Sequence, residues 1–107
     1  MPHPSVFALS LLAIAATAAG ASAASFSCYG NLSHTEAAIC DNSNLSHLDS
    51  VMAKDYFQKL HYTHGSTRAR LRSDQIDWLG VRDGCQANVD CLTQSYAARI
   101  QDIEFQY

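Results

Sequence analysis

Ten carboxylates, five histidines and four cysteines are the groups through which this 107-residue chain could do chemistry. The cysteines Cys28, Cys40, Cys85 and Cys91 fall in C-x11-C and C-x5-C spacings. Zinc modules favour the tighter C-x2-C type, so two disulfides are the better reading. Of the three possible pairings we expect the local one, Cys28 with Cys40 and Cys85 with Cys91, because each pair brackets one compact segment. Paired cysteines imply an oxidising compartment. His61 and His64 stand three apart at a predicted helix end, with His34 and His47 remote from them. No Asp or Glu lies within four residues of the pair to complete a coordination sphere, and histidine near a helix C-terminus is favoured by the dipole alone. No metal site and no cofactor are therefore expected.

The carboxylates lead to the same place. Asp74 and Asp77 lie one turn apart, the ordinary composition of a solvated helix face. Asp90 suits the positive end of a helix, and Ser66 and Thr67 suit its cap. Neither a nucleophile beside a base nor an acid/base pair held together can be picked out, so the chain is expected not to be an enzyme. A net charge of −3 argues against nucleic acid, which selects a basic face. Arg68, Arg70 and Arg72 form the one basic cluster, with Arg68 and Arg72 on one face and Arg70 pointing away. A solvated helix start is the plain reading. Together with the turn from His61 to Thr67 the cluster is also the best candidate for binding a partner, through His61, His64, Arg68 and Arg72. The Cys85 to Cys91 loop, carrying Gln86 to Val89, is a second candidate surface, although its simplest role is to fix one helix against the next.

Helices must position these groups. Ser33-His34-Thr35-Glu36 has the form of a capping box, opening a short helix to about Cys40 that presses Ile39 onto the core. Leu45, Leu48, Met52, Tyr56 and Leu60 recur at helical offsets, predicting a second helix with Ser46, His47, Ser50, Lys54 and Lys59 mostly on its solvated face. Gly65 is available for a left-handed cap after it. A third helix is expected from about Thr67 to Asp83, with Leu71, Gln75, Trp78, Leu79 and Arg82 on one stripe. Buried polar groups must be paired, so Gln75 and Arg82 should find partners across the bundle. Asp49 is the expected mate of Arg82, with Glu36 as the alternative. Asn88 should cap a fourth helix whose seam is Leu92, Tyr96, Ile100 and Ile103. The prediction is an all-α fold, a small disulfide-stapled bundle of one short and three longer helices. Its core should include Leu48, Tyr56, Gln75, Trp78, Arg82, Tyr96 and Ile100.

Ahead of this domain, residues 1–23 carry an apolar run from Val6 to Ala19 and end in Ala21-Ser22-Ala23, the shape of a secretory leader with an A-x-A cleavage site. The run is shorter than the roughly 20 residues of a spanning helix. No cysteine stands at the junction to take a lipid. A mature domain from Ala24 to Tyr107, free of a membrane anchor, in the periplasm or outside the cell, is expected.

Cys28, Thr35-Glu36, Ile39-Cys40, Leu48-Asp49, Tyr56, Gln75-x-x-Trp78-Leu79-x-x-Arg82-x-x-Cys85, Cys91-Leu92 and Tyr96-x-x-Arg99-Ile100 together resemble the LprI-like N-terminal domain of bacterial secreted proteins. The resemblance covers essentially the whole segment after the leader. It implies a helical domain outside the cytoplasm and, from the lipoprotein that gives the family its name, inhibition of lysozyme. Lysozyme works with two carboxyl groups in a cleft, and a basic or hydrogen-bonding group could be laid between them. The expected function is a secreted, non-catalytic binding protein that inhibits a lysozyme or related muramidase. The alternative is a periplasmic structural or assembly module that docks another envelope protein and has no hydrolase target.

Overall fold

Side-chain caps decide where the helices begin. A computed structural model describes residues 24–107, and the leader expected over residues 1–23 lies outside them. The Ser33 hydroxyl accepts from the Glu36 amide at 3.1 Å while the Glu36 carboxylate accepts from the Ser33 amide at 2.9 Å. That reciprocal box starts α1, His34–Asp41. The Asn42 side chain accepts from the Leu45 amide at 3.0 Å and starts α2, Ser43–Tyr62. The Asn88 side chain does the same for the Cys91 amide at 2.9 Å and starts α4, Val89–Phe105, with Asp90 in its first turn. Between them runs α3, Gly65–Gly84.

Helix α3 is where cap chemistry and sequence expectation part. Neither Ser66 nor Thr67 caps it; the N-cap is His64, which makes no side-chain capping bond. Gly65 does take the left-handed conformation, φ +58°, but as the first residue of α3 instead of the terminator of α2. A residue with a Cβ resists that conformation.

The architecture is an all-α bundle of four helices stapled by two disulfides, with no strand among the described residues. Helix α2 lies along α4, α1 packs on α2, and α3 rests chiefly on α4 and touches α2 only lightly. The core is Ile39, Leu45, Met52, Trp78, Cys85, Leu92, Tyr96 and Ile103. Each fully buried Leu or Ile contributes roughly 1.5–3 kcal/mol of transfer free energy. A domain of this size has few of them, so the covalent ties carry weight. Cys28–Cys40 holds the entering segment to α1, and Cys85–Cys91 closes the loop between α3 and α4, where Gln86 sits at φ +56°.

Three expectations for the interior need correction. Leu48, Tyr56 and Ile100 are half-buried, packed against the core without belonging to it. On α2 the inward stripe is Leu45, Ser46, Asp49 and Met52, rotated by about one residue from the apolar reading. Polar side chains cause the rotation. The Ser46 hydroxyl donates to the Ile39 carbonyl at 2.7 Å, joining α2 to the end of α1, and Asp49 accepts from Ser25 and from Tyr96 of α4. Gln75, Trp78, Arg82 and Tyr96 are buried as expected.

Candidate functional site

Asp49 is completely buried, and three other parts of the chain converge on it. From the entering segment, the Ser25 amide and hydroxyl donate to Oδ2 at 2.6 and 2.5 Å. From α4, the Tyr96 hydroxyl donates to Oδ1 at 2.7 Å. From α3, Arg82 Nη1 approaches Oδ1 at 4.0 Å. The expected Arg82–Asp49 pairing is thus present, but Asp83 stands closer: Arg82 Nε and Nη2 donate to its Oδ1 at 3.0 and 2.9 Å. Glu36, the alternative mate, caps α1 and lines the same groove. Burial, then the bond to the Asp49 carboxylate, pushes the Tyr96 phenol well above its ordinary value. For Arg82 burial pulls downward, but the hydrogen bond to Asp83 and its other neighbours outweigh it and the guanidinium is held above its usual value. Three donors bond to the Asp49 oxygens, short of the roughly four acceptor positions of a carboxylate, and the arrangement ties the start of the domain to its three longer helices.

Above this node, the light contact between α2 and α3 leaves a groove of about 550 Å³. Met52, Tyr56 and Leu79 give it an apolar wall, and Phe57 and Ile76 stand on its rim, 64% and 70% exposed. Both rim residues are large apolar side chains left facing solvent, a feature associated with contact surfaces when such residues cluster.

Gln75, which also lines this groove, finds a cross-bundle partner as expected. Its Oε1 accepts from Arg99 Nε at 2.9 Å, and its Nε2 lies 3.2 Å from the Met52 sulfur. Arg99 Nη1 donates to the Tyr107 hydroxyl at 3.2 Å, which in turn donates to Asp74 at 2.5 Å. Arg70 lies 4.7 Å over the Tyr107 ring and pairs with Asp74 at 3.9 Å. Burial and the Asp74 bond raise the Tyr107 phenol above its ordinary value. Asp74 is therefore a working member of a network and only Asp77 fits the solvated-face reading. Arg70, expected to point away, is the arginine that anchors the chain end. These groups border a cleft of about 340 Å³.

Of the candidate partner-binding residues, His61 and His64 stand at the corner between α2 and α3, while Arg68 and Arg72 lie along α3. His61 and His64 are exposed, and Tyr62 beside them is 76% exposed with the His61 ring edge-on at 5.0 Å. Arg72 is exposed on α3. Arg68 is half-buried and donates to the Leu60 carbonyl, so it braces the corner from within and does not share the free face of Arg72. Tyr62 had no sequence signal beyond its place near a helix end. The loop of Gln86 to Val89 is exposed, as its second-candidate reading requires. Among the described residues no group of three or more His, Cys, Asp or Glu is placed to hold a metal ion, and no helix is long and apolar enough to cross a membrane.

Comparison with protein-family models, with curated proteins and with solved structures finds no match to this chain.

Proposed function

We propose that this chain is an exported, non-catalytic binding protein whose target is a lysozyme or related muramidase, and that it acts by occluding the target's cleft. The observation that carries the reading is the corner between α2 and α3. His61 and Tyr62 at the end of α2 and His64 just after it are exposed there, Arg68 braces the corner through the Leu60 carbonyl, and Arg72 is exposed further along α3. A preformed surface loses little conformational entropy on binding. Aromatic and arginine side chains are the types that most often anchor interfaces. A muramidase cleft presents two carboxyl groups, and a cationic, hydrogen-bonding wedge complements them. The disulfides accord with an oxidising compartment, where such a target would be met. The resemblance to LprI-like domains supports the same reading through residues that lie mostly in the interior and at the disulfides.

The test is a cell-wall lysis assay with purified protein at micromolar concentration against a panel of muramidases, including enzymes from competing bacteria. Slowed lysis is expected, and combining Tyr62→Ala with Arg72→Glu should weaken it about tenfold or more without moving the melting temperature. A panel in which no enzyme is slowed overturns the proposal.

A second reading has its own observation in the apolar groove between α2 and α3, with Phe57 and Ile76 on its rim. It favours an envelope assembly module that docks another periplasmic protein. Affinity capture from envelope extract separates the two: recovery of a muramidase supports the first, and recovery of assembly proteins alone supports the second.

A further inference from the structure

The charges around Asp49 do not balance. The groove above it is lined by two carboxylates, Glu36 and Asp49, and by one cation, Arg82. That cation is engaged more closely by a third carboxylate, Asp83 at 2.9 Å, than by Asp49 at 4.0 Å. Asp49 is fully buried, and a buried carboxylate whose one cation is shared with a closer carboxylate is only partly compensated. Among the described residues no other Lys, Arg or His lines the groove. With Asp83 counted, three carboxylates share one cation, so the cluster is short of positive charge.

The entering segment stands where that charge is needed. The Ser25 amide nitrogen is 2.6 Å from Asp49 Oδ2. The nitrogen of Ala24 is one residue further along the chain, at most about 3.6 Å away, and so within about 6 Å of that carboxylate. Ala24 is also the first residue after the A-x-A motif. In an uncleaved chain its nitrogen is a neutral amide; after cleavage it is an α-ammonium.

We propose that removal of the leader creates the missing cation: the new α-ammonium of Ala24 pairs with the buried Asp49 carboxylate and locks the start of the domain onto α2. Cleavage in this scheme is a folding step as well as a release step, because hydrolysis of the Ala23–Ala24 peptide bond yields the charge that the interior lacks. The inference rests on the leader reading and is independent of any muramidase.

The charged groups gathered around Asp49 on α2 are Glu36 from α1, Arg82 and, through it, Asp83 from α3, and, as a neutral donor, Tyr96 from α4. A neighbouring carboxylate at this range favours the charged amine, so its folded-state pKa is raised above the ordinary 7.7–8.0. A raised pKa means that the stabilisation is fully present below the unfolded value and disappears as pH rises through the folded one.

The experiment uses the exported protein. Intact mass and N-terminal sequencing should find Ala24 first, and a different first residue overturns the proposal. With Ala24 labelled with ¹⁵N, its amine should titrate about one unit or more above the ordinary range. The same protein carrying a Gly-Ser extension, or acetylated at Ala24, should melt at a lower temperature than the Ala24-started protein below about pH 7.7. That difference should close at alkaline pH. An ordinary amine titration, or melting curves that coincide across the pH range, refutes the pairing. Asp49→Asn should return the amine to its ordinary value. Should that variant fail to fold, the extended and acetylated proteins keep Asp49 in place and decide the question alone.

Discussion

Replacing Asp49 by alanine is the most direct challenge to this account of the fold. The substitution strips partners from four donors, and their fates differ. The Ser25 amide and hydroxyl lie near the chain start and can be rehydrated. Arg82 keeps its two bonds to Asp83. The Tyr96 hydroxyl cannot escape, because the residue is completely buried; leaving it unpaired costs roughly 1–3 kcal/mol. Breaking a buried ionic contact from one side costs about 3–5 kcal/mol when the other charge is orphaned; Arg82 keeps Asp83, so that penalty does not apply and the unpaired Tyr96 hydroxyl with the lost Ser25 bonds sets the magnitude. The total expected is about 3 kcal/mol. In a domain of this length, 1 kcal/mol corresponds to about 4–8 °C, so the melting temperature should fall by roughly 12–24 °C. Urea unfolding can be followed by the fluorescence of Trp78, the single tryptophan, whose ring lies 5.1 Å from that of Tyr96. Tyr96→Phe alone should cost about 1–2 kcal/mol. The two substitutions together should fall short of their sum by about 1 kcal/mol or more, as contacting residues do. Asp49→Ala within about 1 kcal/mol of the parent, or strict additivity with Tyr96→Phe, would refute the view that this carboxylate knits the helices together.

Other outcomes follow from the same geometry. Trp78→Ala should cost about 3–5 kcal/mol by circular dichroism, enough to unfold a small domain; an unchanged melting temperature would move Trp78 from the interior to the contact surface. Replacing Cys85 and Cys91 by serine should cost about 2 kcal/mol, and replacing Cys28 and Cys40 about 3 kcal/mol, from the lengths of chain they close; mass-mapped denaturation curves check both. Because the Tyr96 phenol is raised above its ordinary value, the protonated form is favoured in the fold, so stability is intact below about pH 10 and falls as pH rises further. Tyr96→Phe should flatten that alkaline limb in a series of melting curves.

Helix content, disulfide pairing and most of the caps were legible in the sequence because each is a local property. The capping box at Ser33, the cap at Asn88 and the burial of Gln75 and Arg82 with partners need only spacing and the rule that buried polar groups pair; that Arg99 serves Gln75 and that Asp83 stands closer to Arg82 than Asp49 does needed the structure. What periodicity could not supply was the rotation of α2. Leu48 and Tyr56 occupy the apolar positions, yet Asp49 and Ser46 turn inward because their hydrogen bonds to Ser25, Tyr96 and Ile39 require it. The network of Arg99, Tyr107 and Asp74 was hidden for a different reason. Tyr107 lies beyond the last turn of α4, where no repeat predicts its return to the bundle. At the candidate corner the histidines and Arg72 were found by type and exposure, while Arg68 shared their charge but not their orientation.

The two covalent rings join residues only 12 and 6 apart, and this bears on how the chain reaches its oxidised form. A polypeptide delivered N-terminus first presents Cys28 and Cys40 together while Cys85 and Cys91 are still to emerge, so each thiol meets its native mate before a competitor arrives. If the chain is exported in that order, as proposed, misconnected isomers would be avoided by order of appearance. Oxidative maturation should then proceed in two successive closures with little call on an isomerase.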